Sequence, residues 1–226
     1  MAERNPFANM ATHLKNLLNK EFLGDPQLMT SATVVNLAQG QTLFAQGEEA
    51  KSCFLVVSGS LKIAMKNKNA ESVLTIISRG EIGGALLMGH ESASYPGSVT
   101  ALTQASVLVI PKSTYIDYWM KTPEALNFSN TCMRNRMRHL QEDKFLQLSD
   151  VESRLINFFH RHYLEKKDLV AKKITRKEIA MSIGAKTETV IRVLKKLERA
   201  GIIKTQKSII SILDKNYIER NLKSGY

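Results

Sequence analysis

The 226-residue chain is 43% hydrophobic and carries a formal charge of +11, which excludes a disordered polyelectrolyte and fits one large or two ordinary globular domains. The charge is uneven: residues 149–226 hold 18 Lys+Arg against 9 Asp+Glu, residues 1–148 hold 14 against 12. A basic C-terminal third beside a nearly balanced remainder implies that one module meets a polyanion and the other does not.

Residues 10–23 place Leu14, Leu17, Leu18 and Phe22 at helical spacing and read as a short amphipathic helix. From about Val34 the rhythm changes. Eight of the twelve glycines fall between Gly40 and Gly97, separating the β-branched and aromatic runs 53–57, 61–65 and 73–77, with a last run at 107–111. Short runs punctuated by glycines, which supply positive-φ turns, predict a small sandwich, barrel or roll over about 34–111. The longest uncharged stretch, 92–111, is broken by Pro96 and Gly97, and the first residues lack the apolar core of a signal peptide, so no membrane association is expected.

At Thr122-Pro123-Glu124 a hydroxyl N-cap, a proline at the first helical position and an acidic residue predict a helix that meets no breaker before Ser149. Over 123–148 it is about 39 Å long at ~1.5 Å per residue. Leu126, Asn130, Met133, Met137, Leu140 and Lys144 step by 4, 3, 4, 3 and 4, the 3.5-residue seam of two facing helices. A homodimer is expected, with Asn130 fixing its register; the alternative is one helix lying on its own β domain.

Ser149-Asp-Val-Glu152 has capping-box form and opens a new segment with an apolar-rich helix, 155–164. After the polar break 165–168, Thr175-Arg176-Lys177-Glu178 is a second capping box, Ile179, Ala180 and Ile183 give its helix an apolar face, and Gly184 ends it. Helical periodicity resumes with Val190, Val193, Leu194 and Leu197 and stops at Ala200-Gly201. Two short helices about a tight glycine turn make a helix-turn-helix. Residues 202–213 read as a hairpin with a polar tip at 205–208, hence a winged variant.

In this motif the second helix enters the major groove with its first turns toward the bases. Those turns carry Lys186, Thr187, Glu188 and Arg192. A carboxylate accepts from the cytosine amino group and an arginine donates twice to guanine, so Glu188 and Arg192 are expected to read G·C pairs in double-stranded DNA. Lys186, Lys195 and Lys196 are expected to hold phosphates, and Thr175 and Arg176 complete the contact set. The competing reading has Glu188 and Arg192 neutralise each other as an exposed i,i+4 pair, worth only ~0.2–0.5 kcal/mol.

The segment Lys173-Ile-Thr-Arg-Lys-Glu-Ile-Ala, then Gly184, then Glu188-Thr-Val-Ile-Arg192-Val-Leu-Lys-Lys-Leu-Glu, together with Gly40-x-x-Leu43-Phe-x-x-Gly47-Glu and Phe54-Leu-Val-Val-Ser-Gly59-Ser-Leu-Lys-Ile, resembles the cyclic-AMP receptor protein and fumarate–nitrate regulator (CRP/FNR) family over almost the full chain. The resemblance implies an α+β protein. Its parts are an N-terminal sensory β-roll of the cyclic-nucleotide-binding jelly-roll kind with flanking helices over 1–121, a dimerisation helix over 122–148 and a C-terminal winged helix-turn-helix over 149–226. It further implies a sequence-specific transcription regulator, dimeric on a near-palindromic operator, with RNA polymerase as a partner.

The sensor departs from the family pattern. Cyclic-nucleotide-binding members carry a Gly-Glu-Leu segment whose Glu holds the ribose and an Arg-Ser pair that holds the cyclic phosphate. Here Ala85 aligns with the Glu, Tyr95-Pro96 with the Arg-Ser, and His139-Leu140 with the base-contacting pair of the long helix. Ala85 cannot accept from sugar hydroxyls, and a buried phosphate without a cation costs several kcal/mol. The expected effector is an unknown small molecule other than cyclic AMP, held by Gly83, Gly84, Ala85, Tyr95 and Ser98 with Met133, Arg136, His139 and Leu140. An orthodox cyclic-nucleotide-dependent regulator is an alternative, since a slip of the alignment makes Glu81 the ribose ligand, but no shift supplies an arginine between Gly80 and Ala101.

The first 52 residues contain no Cys, which excludes the family's N-terminal four-thiolate cluster within this chain. Haem held through His90 or His139, a redox switch at Cys53 or Cys132, and a merely architectural DNA-binding protein are further alternatives. No metal and no resident cofactor is expected. With two cysteines 79 positions apart there is no disulfide framework, and the expected compartment is the cytoplasm. Without a Walker-type glycine loop, H-E-x-x-H or G-x-S-x-G, the chain is not expected to be an enzyme.

Overall fold

A computed structural model describes residues 20–68, 71–146, 148–165, 174–206 and 209–222. The chain parts into two compact units, one from residues up to 63 with 77–134, the other from 64–76 with 135 onward. Of the helix predicted over 10–23, residues 10–19 lie outside the described ones. Its end is a 3-10 turn, Glu21–Gly24, with Phe22 and Leu23 buried.

The β-rich part follows the glycine-punctuated pattern. After α1 (Pro26–Ser31), capped by Asp25, come β1 (Thr33–Leu37), β2 (Thr42–Phe44), β3 (Ser52–Ser58), β4 (Ser60–Lys66), β5 (Glu71–Ser78), β6 (Ile82–Gly83), β7 (Ser98–Ala101) and β8 (Ala105–Pro111). They form two four-stranded sheets, ordered β1-β8-β3-β6 and β2-β7-β4-β5. Strand β3 explains why its sequence is a continuous apolar run instead of an alternating one: Cys53 to Val57 are all buried. Phe54 and Val56 enter the core shared with Leu61, Ile77 and Val99 of the other sheet, while Cys53, Leu55 and Val57 enter a second core with Phe22, Leu28 and Trp119. Gly83 belongs to this packing, because a Cβ there collides with the Phe54 ring and Ile77.

Helix α2 (Lys112–Asp117) and a 3-10 turn carrying Trp119 lead into α3 (Pro123–Leu146), which starts at the proline the sequence pointed to. Ala125 and Ser129 are fully buried, and Ser129 Oγ accepts a 2.7 Å hydrogen bond from the Trp119 indole. Phe128, Cys132 and Met133 pack on the same core. Of the seam positions Met133 thus packs on its own core, while the seam as a whole is centred about a quarter-turn round the helix from the buried stripe. Leu126 and Met133 are half-buried, Asn130 and Lys144 exposed, and Met137 and Leu140 are 58% and 46% accessible.

The next helix, α4 (Val151–Phe159), corrects the first capping box. Its N-cap is Asp150, whose carboxylate accepts from the Ser153 amide at 2.9 Å and from the Ser153 hydroxyl at 2.9 Å, while Glu152 turns instead to Lys196. Helical winding begins four residues before the predicted Leu155 and continues past Phe159 as a wider π-helical segment, His160–Glu165. Beyond it lie α5 (Arg176–Ser182), α6 (Thr187–Arg199), the antiparallel pair β9 (Ile203–Gln206) and β10 (Ile209–Ile212), and α7 (Lys215–Arg220). Thr205 and Gln206, predicted in the hairpin tip, are strand residues, and 207–208 lie outside the described ones. Ile179, Val190, Leu194, Leu197, Ile210 and Ile218 bring α5, α6, the hairpin and α7 to a shared level of near-complete burial.

Candidate nucleic-acid interface

Local chemistry fixes both ends of the helix-turn-helix. The Thr175 hydroxyl accepts from the Glu178 amide at 3.1 Å, and Glu178 Oε2 accepts from the Thr175 amide at 3.0 Å, a complete capping box at the start of α5. At its end Gly184 adopts φ +62°, and the Ala185 amide turns back to the Ala180 carbonyl at 2.9 Å. Arg154, from α4, donates through Nη1 to the carbonyls of Ile183 (3.0 Å) and Gly184 (2.9 Å), satisfying acceptors the helix end leaves over. Its buried Nε has no hydrogen-bond partner among the described residues. Nothing in the sequence announced this clamp, since the contact spans about thirty positions.

Helix α6 ends in a Schellman motif. The Gly201 amide bonds to the Glu198 carbonyl and the Ile202 amide to Leu197, with Leu197 and Ile202 both buried. Its beginning is different. Lys186 stands at the N-cap without a side-chain cap bond, whereas α4, α5 and α7 are capped by Asp150, Thr175 and Asp214. A side-chain cap there is worth typically ~1 kcal/mol, so the helix that carries the base-facing residues gives up local stability at its start.

One side of α6 is core: Val190, Leu194 and Leu197 are buried. The other carries exposed Glu188, Ile191, Arg192, Lys195 and Arg199. Among the described residues Glu188 and Arg192 form no hydrogen bond or ion pair with each other or with any other group. The mutual-neutralisation reading therefore finds no support in the geometry. Lys186 is exposed, Thr187 and Arg176 are half-exposed, and the Thr175 hydroxyl is engaged in its cap. Lys196 differs from Lys186 and Lys195 in that its ammonium is hydrogen-bonded to Glu152, a pairing that raises its pKa.

Residues 34–121 match the cyclic nucleotide-binding domain family and residues 153–220 the Crp-like helix-turn-helix domain family. The cAMP-activated global transcriptional regulator CRP of Salmonella typhimurium is 28% identical over 169 residues, 72% of this chain and 80% of that protein. The chain belongs to the CRP/FNR family of transcription regulators. FixK2 from Bradyrhizobium japonicum has the same fold at a TM-score of 0.72 and 17% identity, covering 86% of this chain and 99% of its own. The c-di-GMP responsive global regulator CLP of Xanthomonas campestris aligns at 0.69 and 20% identity, covering 83% and 97%.

In this CRP/FNR regulator the roll residues expected at the effector site are engaged within the fold. Tyr95 is 3% exposed, stacks on Phe44 with centroids 4.4 Å apart and planes 10° off parallel, and donates its hydroxyl to the Ser52 carbonyl at 2.6 Å. Burial pushes its pKa up to about 12. Ser98 Oγ accepts from the Gln46 amide at 3.0 Å. Gly84, at φ +79°, turns the chain into the 3-10 segment 85–87, and Ala85 is buried. Met133 packs on the core that contains Ala85 and Tyr95; Arg136, His139 and Leu140 lie farther along α3, the first two half-buried.

His90 is exposed, with its carbonyl accepting from the Lys112 ammonium. Cys53 is fully buried and burial drives its thiol far above the ordinary range, which suppresses the thiolate a redox switch needs. Among the described residues no three His, Cys, Asp or Glu side chains converge as metal ligands, and no helix is long and apolar enough to cross a membrane.

Proposed function

We propose that this regulator acts as a cytoplasmic homodimer that reads a near-palindromic operator through α6, with Glu188 and Arg192 on the base edges of a G·C pair. The observation that carries the reading is the pair itself: two opposite charges on one exposed helix face, neither hydrogen-bonded nor ion-paired among the described residues. Lys186 and Lys195, with Arg176 and the Thr175 segment, hold phosphates, and α3 supplies the dimer seam through Leu126, Asn130, Met133, Met137 and Leu140. RNA polymerase is the partner that turns binding into regulation. In this account the sensory roll spans 1–121, the dimerisation helix 122–148 and the reader 149–226. The protein works by binding, without catalysis or a resident cofactor.

The effector is a small molecule other than cyclic AMP. Tyr95 supports this, because its ring is packed on Phe44 and its hydroxyl is held by Ser52, so the residue aligned with the family's arginine brings no cation to a cyclic phosphate. That CLP, a relative by fold, is c-di-GMP responsive supports a scaffold that serves more than one effector. Isothermal calorimetry of the full chain with cyclic AMP is expected to give no binding heat; micromolar binding that tightens DNA affinity returns the orthodox reading.

Base reading is tested by competition with duplexes that differ at single base pairs. Arg192→Ala is expected to lose discrimination at one G·C position per half-site and to keep it elsewhere. Equal weakening on every sequence supports an architectural binder instead.

A further inference from the structure

Ile191 is the one large hydrophobic side chain exposed on α6 among the described residues, 39% accessible. The core does not need it, since Val190, Leu194 and Leu197 already fill the buried face and Val193 is half-buried. Helix propensity does not favour it either: a β-branched residue loses χ1 freedom that Lys, Glu or Gln would keep. Single exposed apolar residues are ordinary on protein surfaces. This one, however, stands in a stripe otherwise made of charges and hydroxyls. At about 100° per residue it lines up with Thr187 and Lys195, alongside the row of Glu188 and Arg192.

A helix face pressed into the major groove meets hydrogen-bonding edges almost everywhere. The exception is the 5-methyl group of thymine, the only apolar group those edges present. A side chain with no donor or acceptor gains nothing from the polar edges and leaves them unsatisfied where it displaces their water. Against a thymine methyl the same side chain removes apolar surface from water on both sides. We infer that Ile191 is a specificity-determining residue that recognises a thymine in each half-site, next to the G·C pair assigned to Glu188 and Arg192. This inference rests on the base-reading role proposed above. It adds a constraint that hydrogen bonding alone does not supply, an A·T pair fixed in orientation, because the methyl marks the strand that carries thymine.

The test starts from a random-sequence duplex library enriched by the full-length protein. Each shared thymine is then replaced singly by deoxyuridine, which deletes the 5-methyl and leaves base pairing intact. One symmetry-related thymine is expected to weaken wild-type binding about fourfold per half-site when its methyl is removed, the equivalent of one buried methyl. Ile191→Ala is expected to bind the thymine and uracil duplexes alike while still discriminating at the Arg192 position, and Ile191→Val to keep part of the methyl sensitivity. A shared sequence with no methyl-sensitive thymine, or an Ile191→Ala protein as methyl-sensitive as wild type, overturns the inference and leaves the base-reading account standing. A library that yields no shared sequence overturns both.

Discussion

The DNA reader and the sensory roll treat their polar side chains in opposite ways. In the reader, scaffold groups are satisfied internally: Asp150, Thr175 and Asp214 cap helices, and Arg154 holds two carbonyls at the turn. Among the described residues Glu188 and Arg192 have no hydrogen-bond or ion-pair partner, on a helix whose own N-cap is left without a side-chain bond. In the roll two residues expected at the effector site are bonded inward: Tyr95 holds β3 through Ser52 and stacks on Phe44, and Ser98 holds the Gln46 amide. Unengaged charges on a rigid frame mark a surface prepared for a partner. Tyr95 and Ser98, bonded internally, serve the fold instead.

Four changes sharpen or break this contrast. The largest effect is expected from Arg192→Ala: discrimination at one G·C pair falls by about 1–3 kcal/mol per half-site in competition binding, with thermal stability unchanged. Unaltered selectivity places Arg192 outside the base-reading set. Next comes Arg154→Ala, which leaves the Ile183 and Gly184 carbonyls unpaired. Urea denaturation is expected to report a loss of about 1.5–3 kcal/mol, the range for hydrogen bonds from a charged donor, with Arg154→Lys recovering part of it. A stability equal to wild type means the clamp contributes nothing.

Smaller still is Lys195→Ala, for which the slope of log affinity against log salt drops by about one per half-site while the ranking of operator sequences stays the same. A changed ranking assigns Lys195 to the bases. The smallest is Tyr95→Phe in the roll, a loss of about 0.5–1.5 kcal/mol from the bonds to Ser52. That tyrosine also carries a pH signature. Its folded pKa lies above its unfolded value, so the folded state holds the proton more tightly, and stability falls as pH rises from about 10 to about 12. Denaturation midpoints across that window are expected to fall less steeply in Tyr95→Phe than in wild type.

What the sequence disclosed follows the range of the forces involved. Short-range patterns were legible: the glycine-separated strands, Pro123 opening the long helix, the Thr175–Glu178 box, and the turns at Gly184 and Gly201. Each rests on residues within a few positions of one another. Asp150 displaced Ser149 as a cap because both suit the role and only the three-dimensional start of α4 decides between them. Arg154 and the Lys196–Glu152 pair were invisible, since side chains far apart in sequence meet only after folding. Tyr95 was read as a missing cation, which is correct chemistry at the level of residue type. Its packing against Phe44, a strand residue far from it in sequence, required the fold.

The central claim is that two copies of α6 read one symmetric site. Footprinting of the full-length protein on genomic DNA tests it most directly. The expected result is protected sites with two-fold sequence symmetry whose half-site centres lie about 34–36 Å apart, one helical turn of DNA or a multiple of it. Protection without shared or symmetric sequence contradicts the account.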